Sequence, residues 1–149
     1  MAEVVLTEDC MRLISQFERL TGAGSRDCVI DERNNRIIFV INPGEMGLAI
    51  GKSGSSIKKA MEVMGKRIEV VEYASNPEQF LKNCFLPAKV LNVDLEGNDD
   101  EKVAYITVAD EDRGIAIGKE GKNIFKAKKL AQRQYNIADV LLTSNEESS

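Results

Sequence analysis

The sequence predicts a mixed α/β protein of the α+β type, with two similar units that each hold a three-stranded sheet flanked by helices. Two observations predict this fold. Helical periodicity and β-branched runs follow each other in the same order twice along the 149 residues. A fourteen-residue segment that begins at Gly47 also returns at Gly114, with nine identical positions. We expect units at 1–74 and 75–143, followed by a disordered polar tail at 144–149.

The first unit begins with an amphipathic helix. Thr7 is a good N-cap for it, and Gly22 is a good stop. Apolar β-branched runs then flank Asn34-Asn35, which predicts a hairpin. The remaining elements are expected to be a short helix at 46–50, a loop at 51–54, a helix at 55–64 and a strand at 68–71.

The second unit repeats this order. Asn76 and Pro77 form a helix start, with Gln79 three residues after the cap, and the helix should end before Pro87. The later elements are expected to be strands at 90–93 and 103–108 around an acidic loop at 96–101, a helix that ends near Arg133, and a strand at 137–142.

Positive charge is concentrated on the two repeated segments. The net charge of the whole chain is -4, but residues 51–67 carry +4 and residues 113–133 carry +6. The rest of the chain therefore carries -14. Because attraction to phosphates depends on charge within a Debye length, these two patches are candidate nucleic-acid contacts on an otherwise acidic protein.

The composition argues against several classes of chemistry. There is no histidine, and three cysteines lack a Cys-x-x-Cys pair. We therefore expect no metal site, no cofactor, no disulfide framework and no catalytic residues, with the cysteines as buried thiols. No apolar run approaches the ~20 residues of a membrane span, and Met1–Val4 does not begin a signal peptide, which favours a cytoplasmic protein.

The repeated segment predicts a phosphate-binding loop. Each copy has the pattern Gly-x-x-Gly between two helices, as Gly51–Gly54 and Gly118–Gly121. Glycines let a nucleic-acid backbone approach closely, and the following helix offers free N–H groups and the positive end of its dipole. Lys52 and Lys119 add a positive charge to the same place. The pattern is therefore typical of a clamp on a single-stranded backbone.

These motifs resemble KH domains, and the order of a helix and a hairpin before the loop is similar to the type II arrangement. Two copies over nearly the whole chain resemble the archaeal NusA-like transcription factors. The resemblance implies that each Gly-x-x-Gly backbone clamps about four nucleotides, with bases in an apolar groove. The residues that it implies for RNA contact are Gly47, Ile50, Gly51, Lys52, Ser53, Gly54, Ile57, Lys58, Gly114, Ile117, Gly118, Lys119, Glu120, Gly121, Lys122, Ile124 and Lys126.

Some of these residues have a simpler interpretation. Ile57 and Ile124 are equally well explained as core residues. Helical spacing places Lys122, Lys126, Lys129 and Arg133 on one face, which predicts either a stronger electrostatic surface in the second unit or an ordinary solvated face. Glu120 departs from the pattern, because its carboxylate would repel a phosphate inside the second loop.

We expect a non-enzymatic factor that binds single-stranded RNA in transcription elongation, termination or antitermination. The resemblance alone implies RNA polymerase as a further partner. We expect no contact with a membrane and no small-molecule substrate. The alternatives are a ribosome- or rRNA-associated KH protein, or a protein-interaction adaptor with degenerate RNA binding. A P-loop NTPase is disfavoured because a Walker A motif that ends in Gly51-Lys52-Ser53 requires glycine at position 46, where the chain has Met46.

Overall fold

The computed structural model describes residues 4–143, so the tail predicted at 144–149 lies outside the described residues. The chain divides into two compact units. One spans Val5–Tyr73, and the other contains the described residues from Ala74 onward. Each unit has a mixed α/β fold with one three-stranded sheet, which confirms the predicted fold class. None of the helices in the described region is long and apolar enough to cross a membrane.

The first unit has the element order that the sequence predicts. In its sheet, β1 pairs antiparallel and β3 pairs parallel with the central strand β2. The bounds are α1 Glu8–Thr21, β1 Ser25–Asp31, β2 Arg36–Ile41, α2 Met46–Ile50, a 3-10 turn Lys52–Gly54, α3 Ser55–Met64 and β3 Arg67–Glu72.

The second unit repeats the same topology, with β5 at the centre of its sheet, β4 antiparallel to it and β6 parallel to it. The bounds are α4 Pro77–Phe85, β4 Val90–Glu96, β5 Val103–Val108, a 3-10 turn Asp110–Asp112, α5 Arg113–Ile117, a 3-10 turn Lys119–Gly121, α6 Lys122–Tyr135 and β6 Asp139–Thr143.

Local signals explain where the long helices begin. The Thr7 hydroxyl accepts a hydrogen bond of 3.1 Å from the amide of Cys10 at the start of α1. The Asn76 side chain accepts one of 2.7 Å from the amide of Gln79 at the start of α4. Each cap satisfies an N–H group that the first helical turn leaves without a partner.

Strand β3 extends one residue beyond each predicted end, and β6 is shifted to Asp139–Thr143, but the extensions of β4 and α6 are longer. Strand β4 continues to Glu96, because Val93 and Leu95 point to the buried face opposite Ile106 and Ala104, while the alternating acidic residues Asp94 and Glu96 point outward. Helix α6 continues past Arg133 and stops at Asn136, which takes the left-handed conformation.

The core of each unit lies between its sheet and its long helices. In the first unit Phe17 of α1 stacks on Phe39 of β2 with ring centroids 4.4 Å apart, and β2 is buried along its whole length. In the second unit the buried residues alternate along β5, as expected for a strand with one covered face. The cysteines Cys10, Cys28 and Cys84 are free and buried, as the sequence predicts.

Candidate nucleic-acid interface

The first glycine loop has a backbone that requires glycine. Helix α2 ends at Gly51, whose φ of 76° and ψ of 170° lie in a region that is essentially closed to other residues. A Cβ atom at this position would lie 2.6 Å from the backbone nitrogen of Ser56, which is closer than real Cβ contacts. The first turn of α3, with the Ser56 hydroxyl, therefore packs directly against the glycine backbone and leaves no room for a side chain at position 51.

The second loop has the same conformation as the first. The φ and ψ angles of the first glycines are 76° and 170° in one loop and 79° and 166° in the other. The middle residues Ser53 and Glu120 have angles of 55° and 29°, and of 56° and 27°. The second glycines have angles of 77° and 14°, and of 76° and 14°. The sequence repeat is thus a repeat of backbone geometry within a few degrees.

Both loops lead into helices that have no side-chain cap. Helices α3 and α6 follow Gly54 and Gly121, and neither residue has a side chain that can accept a hydrogen bond from the first turn. The N-termini of α1 and α4, by contrast, are capped by Thr7 and Asn76. The first N–H group of each helix, at Ser55 or Lys122, donates to the carbonyl oxygen of Lys52 or Lys119 in the loop. The next N–H groups of the first turn have no side-chain cap and lie at the positive end of the helix dipole.

The lysines at the two loops are exposed and carry a positive charge. Lys52, Lys58 and Lys119 are exposed, and none forms an ion pair within the part of the chain that the structure describes. Glu120, the middle residue of the second loop, is also exposed. The first loop is consequently the more positive of the two, whereas the second carries one charge of each sign.

The isoleucines predicted to line grooves fall into two groups. Ile50 and Ile117, which precede the loops, are exposed by 38% and 36%. Ile57 and Ile124, which follow them, are only partly exposed, and Ile57 packs against the buried core of the first unit. Ile50 and Ile117 are therefore the better candidates for contact with bases, while Ile57 has a demonstrable role in the core.

The predicted basic face of α6 is weaker than its sequence suggests. Lys126 is only 6% exposed and lies close enough to Cys84 of α4 to interact with it electrostatically. Burial raises the pKa of the Cys84 thiol to about 12, although the positive charge of Lys126 acts in the opposite direction. Lys128 pairs with Asp139 at 3.2 Å. Lys128 was not among the residues of the predicted face, and the expectation of one solvated face of Lys122, Lys126, Lys129 and Arg133 is wrong at Lys126.

Three residues at the loops were missed by the sequence reasoning. Leu48 and Ile115 occupy the same position in the two short helices and are exposed apolar side chains. The sequence could have identified these two residues, because both copies of the repeat have an aliphatic residue at this position. Asn123 donates a hydrogen bond of 2.7 Å from its side-chain amide to the carbonyl oxygen of Ile115. This bond joins the two helices that flank the second loop, and sequence spacing gave no sign of it.

Two units of this topology, each with a Gly-x-x-Gly loop between helices, define a tandem KH protein. The family model of the KH domain matches residues 13–96, and that of the NusA-like second KH domain matches residues 77–144. The chain belongs to the archaeal NusA-like family of KH proteins.

Relatives support this assignment. The probable transcription termination protein NusA of Halobacterium salinarum is 42% identical over 138 residues, which cover 93% of this chain and 97% of that protein. The protein of the same name from Methanococcus vannielii is 38% identical over 90% of this chain and 76% of its own length. The transcription termination/antitermination protein NusA of Bacillus subtilis is 35% identical over 57% of this chain, but only 23% of that protein is covered.

A solved structure shares the fold. The crystal structure of the protein called APE1850 superimposes with a TM-score of 0.84 at 38% sequence identity. The match covers 93% of this chain and 100% of that one. The two-unit architecture is therefore present in an experimentally determined relative.

Proposed function

We propose that this protein binds single-stranded RNA with both Gly-x-x-Gly loops and acts in the elongation, termination or antitermination of transcription. One observation carries the proposal: two loops of the same backbone geometry each place a free lysine at the uncapped N-terminus of a helix. An RNA phosphate is an anion of the size and charge that such a helix end accepts. The KH domain is a general RNA-binding module, which agrees with this chemistry.

In the proposed complex, each loop holds one stretch of RNA backbone. Because Gly54 and Gly121 have no side chain and little lies beside them, phosphates can approach the loop backbone near the positive ends of α3 and α6. Lys52 and Lys119 neutralise the phosphate charge. The exposed Ile50 and Ile117 provide apolar surface for the attached bases. Lys126 is left out of this contact set because it is buried.

The role in transcription is proposed from the relatives, whose names describe termination and antitermination proteins. We propose a cytoplasmic, non-enzymatic factor that accompanies RNA polymerase and holds the emerging transcript. RNA is captured by the basic loops, while the acidic remainder of the surface is available to protein partners. Cross-linking of the protein to RNA in cells separates this role from ribosome association, because the first gives scattered transcripts and the second a single rRNA site.

The direct test is fluorescence anisotropy with a randomised single-stranded RNA of twelve nucleotides. Lys52→Asp and Lys119→Asp should each weaken binding by roughly tenfold, which corresponds to about 1.4 kcal/mol per site. The control is Lys82→Asp, the same change at an exposed lysine of α4, and it should bind like the wild type. Equal affinity of all three variants and the wild type would contradict the proposed loops.

RNA length gives an independent test. If two loops engage one strand, the second contact occurs at a high effective concentration, so the twelve-nucleotide RNA should bind far more tightly than a four-nucleotide RNA. Either Lys52→Asp or Lys119→Asp should remove most of that difference. Comparable affinity for the short and the long RNA would show that at most one loop is used.

A further inference from the structure

A groove of about 420 Å³ lies on the outer side of α6 in the second unit. Its lining includes Phe125 and Gln132 of the helix, the segment from Asn136 to Asp139 after it, and Asp100 of the loop between β4 and β5. The phenyl ring of Phe125 is 38% exposed, which is unusual for a large aromatic side chain on a helix. The RNA contacts described above do not account for this ring.

The first unit has no counterpart of the residues that make this groove. At the positions equivalent to Phe125 and Gln132, sixty-seven residues earlier, the first copy has Lys58 and Gly65. Helix α3 ends after ten residues at Gly65, whereas α6 continues for fourteen. The longer α6 and its aromatic residue therefore distinguish the second copy of the repeat from the first.

The far wall of the groove is held by hydrogen bonds. Asn136 ends α6 in the left-handed conformation, and its amide donates to the carbonyl of Gln132 at 3.0 Å. The amide of Ala138 then donates to the carbonyl of Lys102 at 2.7 Å, which ties this segment to the start of β5. Ile137 between them is buried. The groove is therefore formed in the free protein and needs no rearrangement to accept a ligand.

The chemistry of the lining fits a nucleobase better than a phosphate. The lining carries two lysines and two aspartates, and one pair of these, Lys128 and Asp139, is already joined at 3.2 Å. The local charge therefore gives little attraction for an anion. An exposed phenyl ring offers a stacking surface, while Gln132 and Asp100 can donate to and accept from the edge of a base. Lys129, which is exposed, remains for the phosphate of the same nucleotide.

The groove also lies near the proposed RNA path. Phe125 follows Gly121 by four residues, or about 6 Å along the helix axis. A strand that leaves the second loop along α6 would reach the ring, at the near end of the groove, after about one nucleotide. We propose that this groove binds one further base of the same RNA, stacked on Phe125, next to the segment held by Gly118–Gly121. This inference rests on the proposed RNA-binding function.

The test compares Phe125→Ala with Phe125→Tyr in binding to the randomised twelve-nucleotide RNA. Loss of one stacked base should weaken binding by about five- to tenfold in Phe125→Ala, whereas Phe125→Tyr keeps an aromatic ring and should retain the wild-type affinity. Leu141→Ala is the matched control, since Leu141 is an apolar residue of the same unit with 40% exposure. Thermal melting verifies that each variant is folded.

Ultraviolet cross-linking provides a readout that does not depend on a variant. After irradiation of the wild-type complex, mass spectrometry should find a nucleotide on the peptide that contains Phe125. The inference about the groove is overturned if Phe125→Ala binds RNA as tightly as the wild type and the cross-link is absent. The proposed function still stands in that case if the wild type binds RNA and Lys119→Asp lowers the affinity. If the wild type binds no RNA, the proposed function fails and this inference fails with it.

Discussion

The side-chain amide of Asn123 lies 2.7 Å from the carbonyl oxygen of Ile115, to which it donates a hydrogen bond. This bond connects the first turn of α6 to α5 across the second glycine loop. It also satisfies one of the carbonyl groups that the end of a short helix leaves without a partner. In the first unit the equivalent residue is Ser56, whose shorter side chain cannot span the same distance. This side-chain bond is therefore a feature of the second loop that the first loop, with serine at this position, does not share.

Replacement of Asn123 by alanine should loosen the second loop. We expect a loss of unfolding free energy at the low end of about 0.5–1.5 kcal/mol, because the bond is exposed. Amide hydrogen exchange in Gly118–Gly121 should become faster, and RNA should bind less tightly. Asn92→Ala is the control, because it also removes an exposed side-chain hydrogen bond in the same unit, to Asp94 at 3.1 Å. Unchanged exchange in the loop of Asn123→Ala would refute the role assigned to this bond.

The two glycines of one loop should differ in their tolerance of a methyl group. Gly51→Ala places a Cβ atom 2.6 Å from the Ser56 nitrogen, in a backbone region closed to alanine. Gly54→Ala meets nothing closer than Lys58 Cε at 3.6 Å, so only the left-handed backbone opposes it. We expect a loss of about 1–2 kcal/mol for Gly54→Ala and a larger loss for Gly51→Ala. Urea denaturation measures both, and equal losses would contradict the geometry.

Removal of the Glu120 carboxylate should strengthen RNA binding by the second loop. Ser53 adopts the same left-handed conformation in the first loop, so Glu120→Ser should leave the backbone unchanged. We expect binding to improve by roughly threefold at low salt, with a smaller gain at high salt because ions screen the repulsion. Glu101→Ser removes an exposed charge elsewhere in the same unit and should have little effect. A gain as large in Glu101→Ser would point to net charge instead of a local contact.

The loops and their helices could be predicted from sequence because glycines set their limits. The predicted bounds of α2 and α3 are those of the structure. Gly51 and Gly65, whose positive φ angles end the two helices, account for this agreement. Each strand lies close to its predicted place, but β4 continues beyond 93 because its acidic residues alternate with apolar ones, and β6 begins at Asp139 instead of Ile137. The RNA-contact residues remain predictions that the proposed binding experiments test.

The exposure of the charged side chains of α6 could not be predicted from the sequence. Lysine spacing predicts which residues share a face, but it does not reveal where that face meets a neighbouring helix. Lys126 lies at the border of the face that packs against α4, so it is buried, while Lys129 on the next turn is exposed. The partners of Lys128 and Asn123 depend on how distant segments of the unit fold together, and this tertiary information is absent from local patterns.

A buried ion network joins the strands of the first sheet. The Arg36 guanidinium donates to Asp31 at 2.7 Å and to Glu69 at 3.0 Å, and the side chains of Arg36 and Asp31 are almost fully buried. Burial alone raises the pKa of Asp31, but hydrogen bonds from Asn34 and Arg36 outweigh burial and hold it below its ordinary value of 3.8. The folded protein thus stabilises the charged carboxylate.

The lowered pKa of Asp31 predicts a loss of stability in acid. Its contribution is fully present above pH 3.8, the ordinary value, and is lost as the pH falls through the lower folded value. Asp31→Asn should cost about 3 kcal/mol at neutral pH, because Arg36 loses a buried partner, and its stability should decline less steeply below pH 4. Urea denaturation at several pH values measures this, with the exposed Asp94→Asn as control. Parallel pH profiles for Asp31→Asn and the wild type would show that Asp31 does not contribute to acid sensitivity.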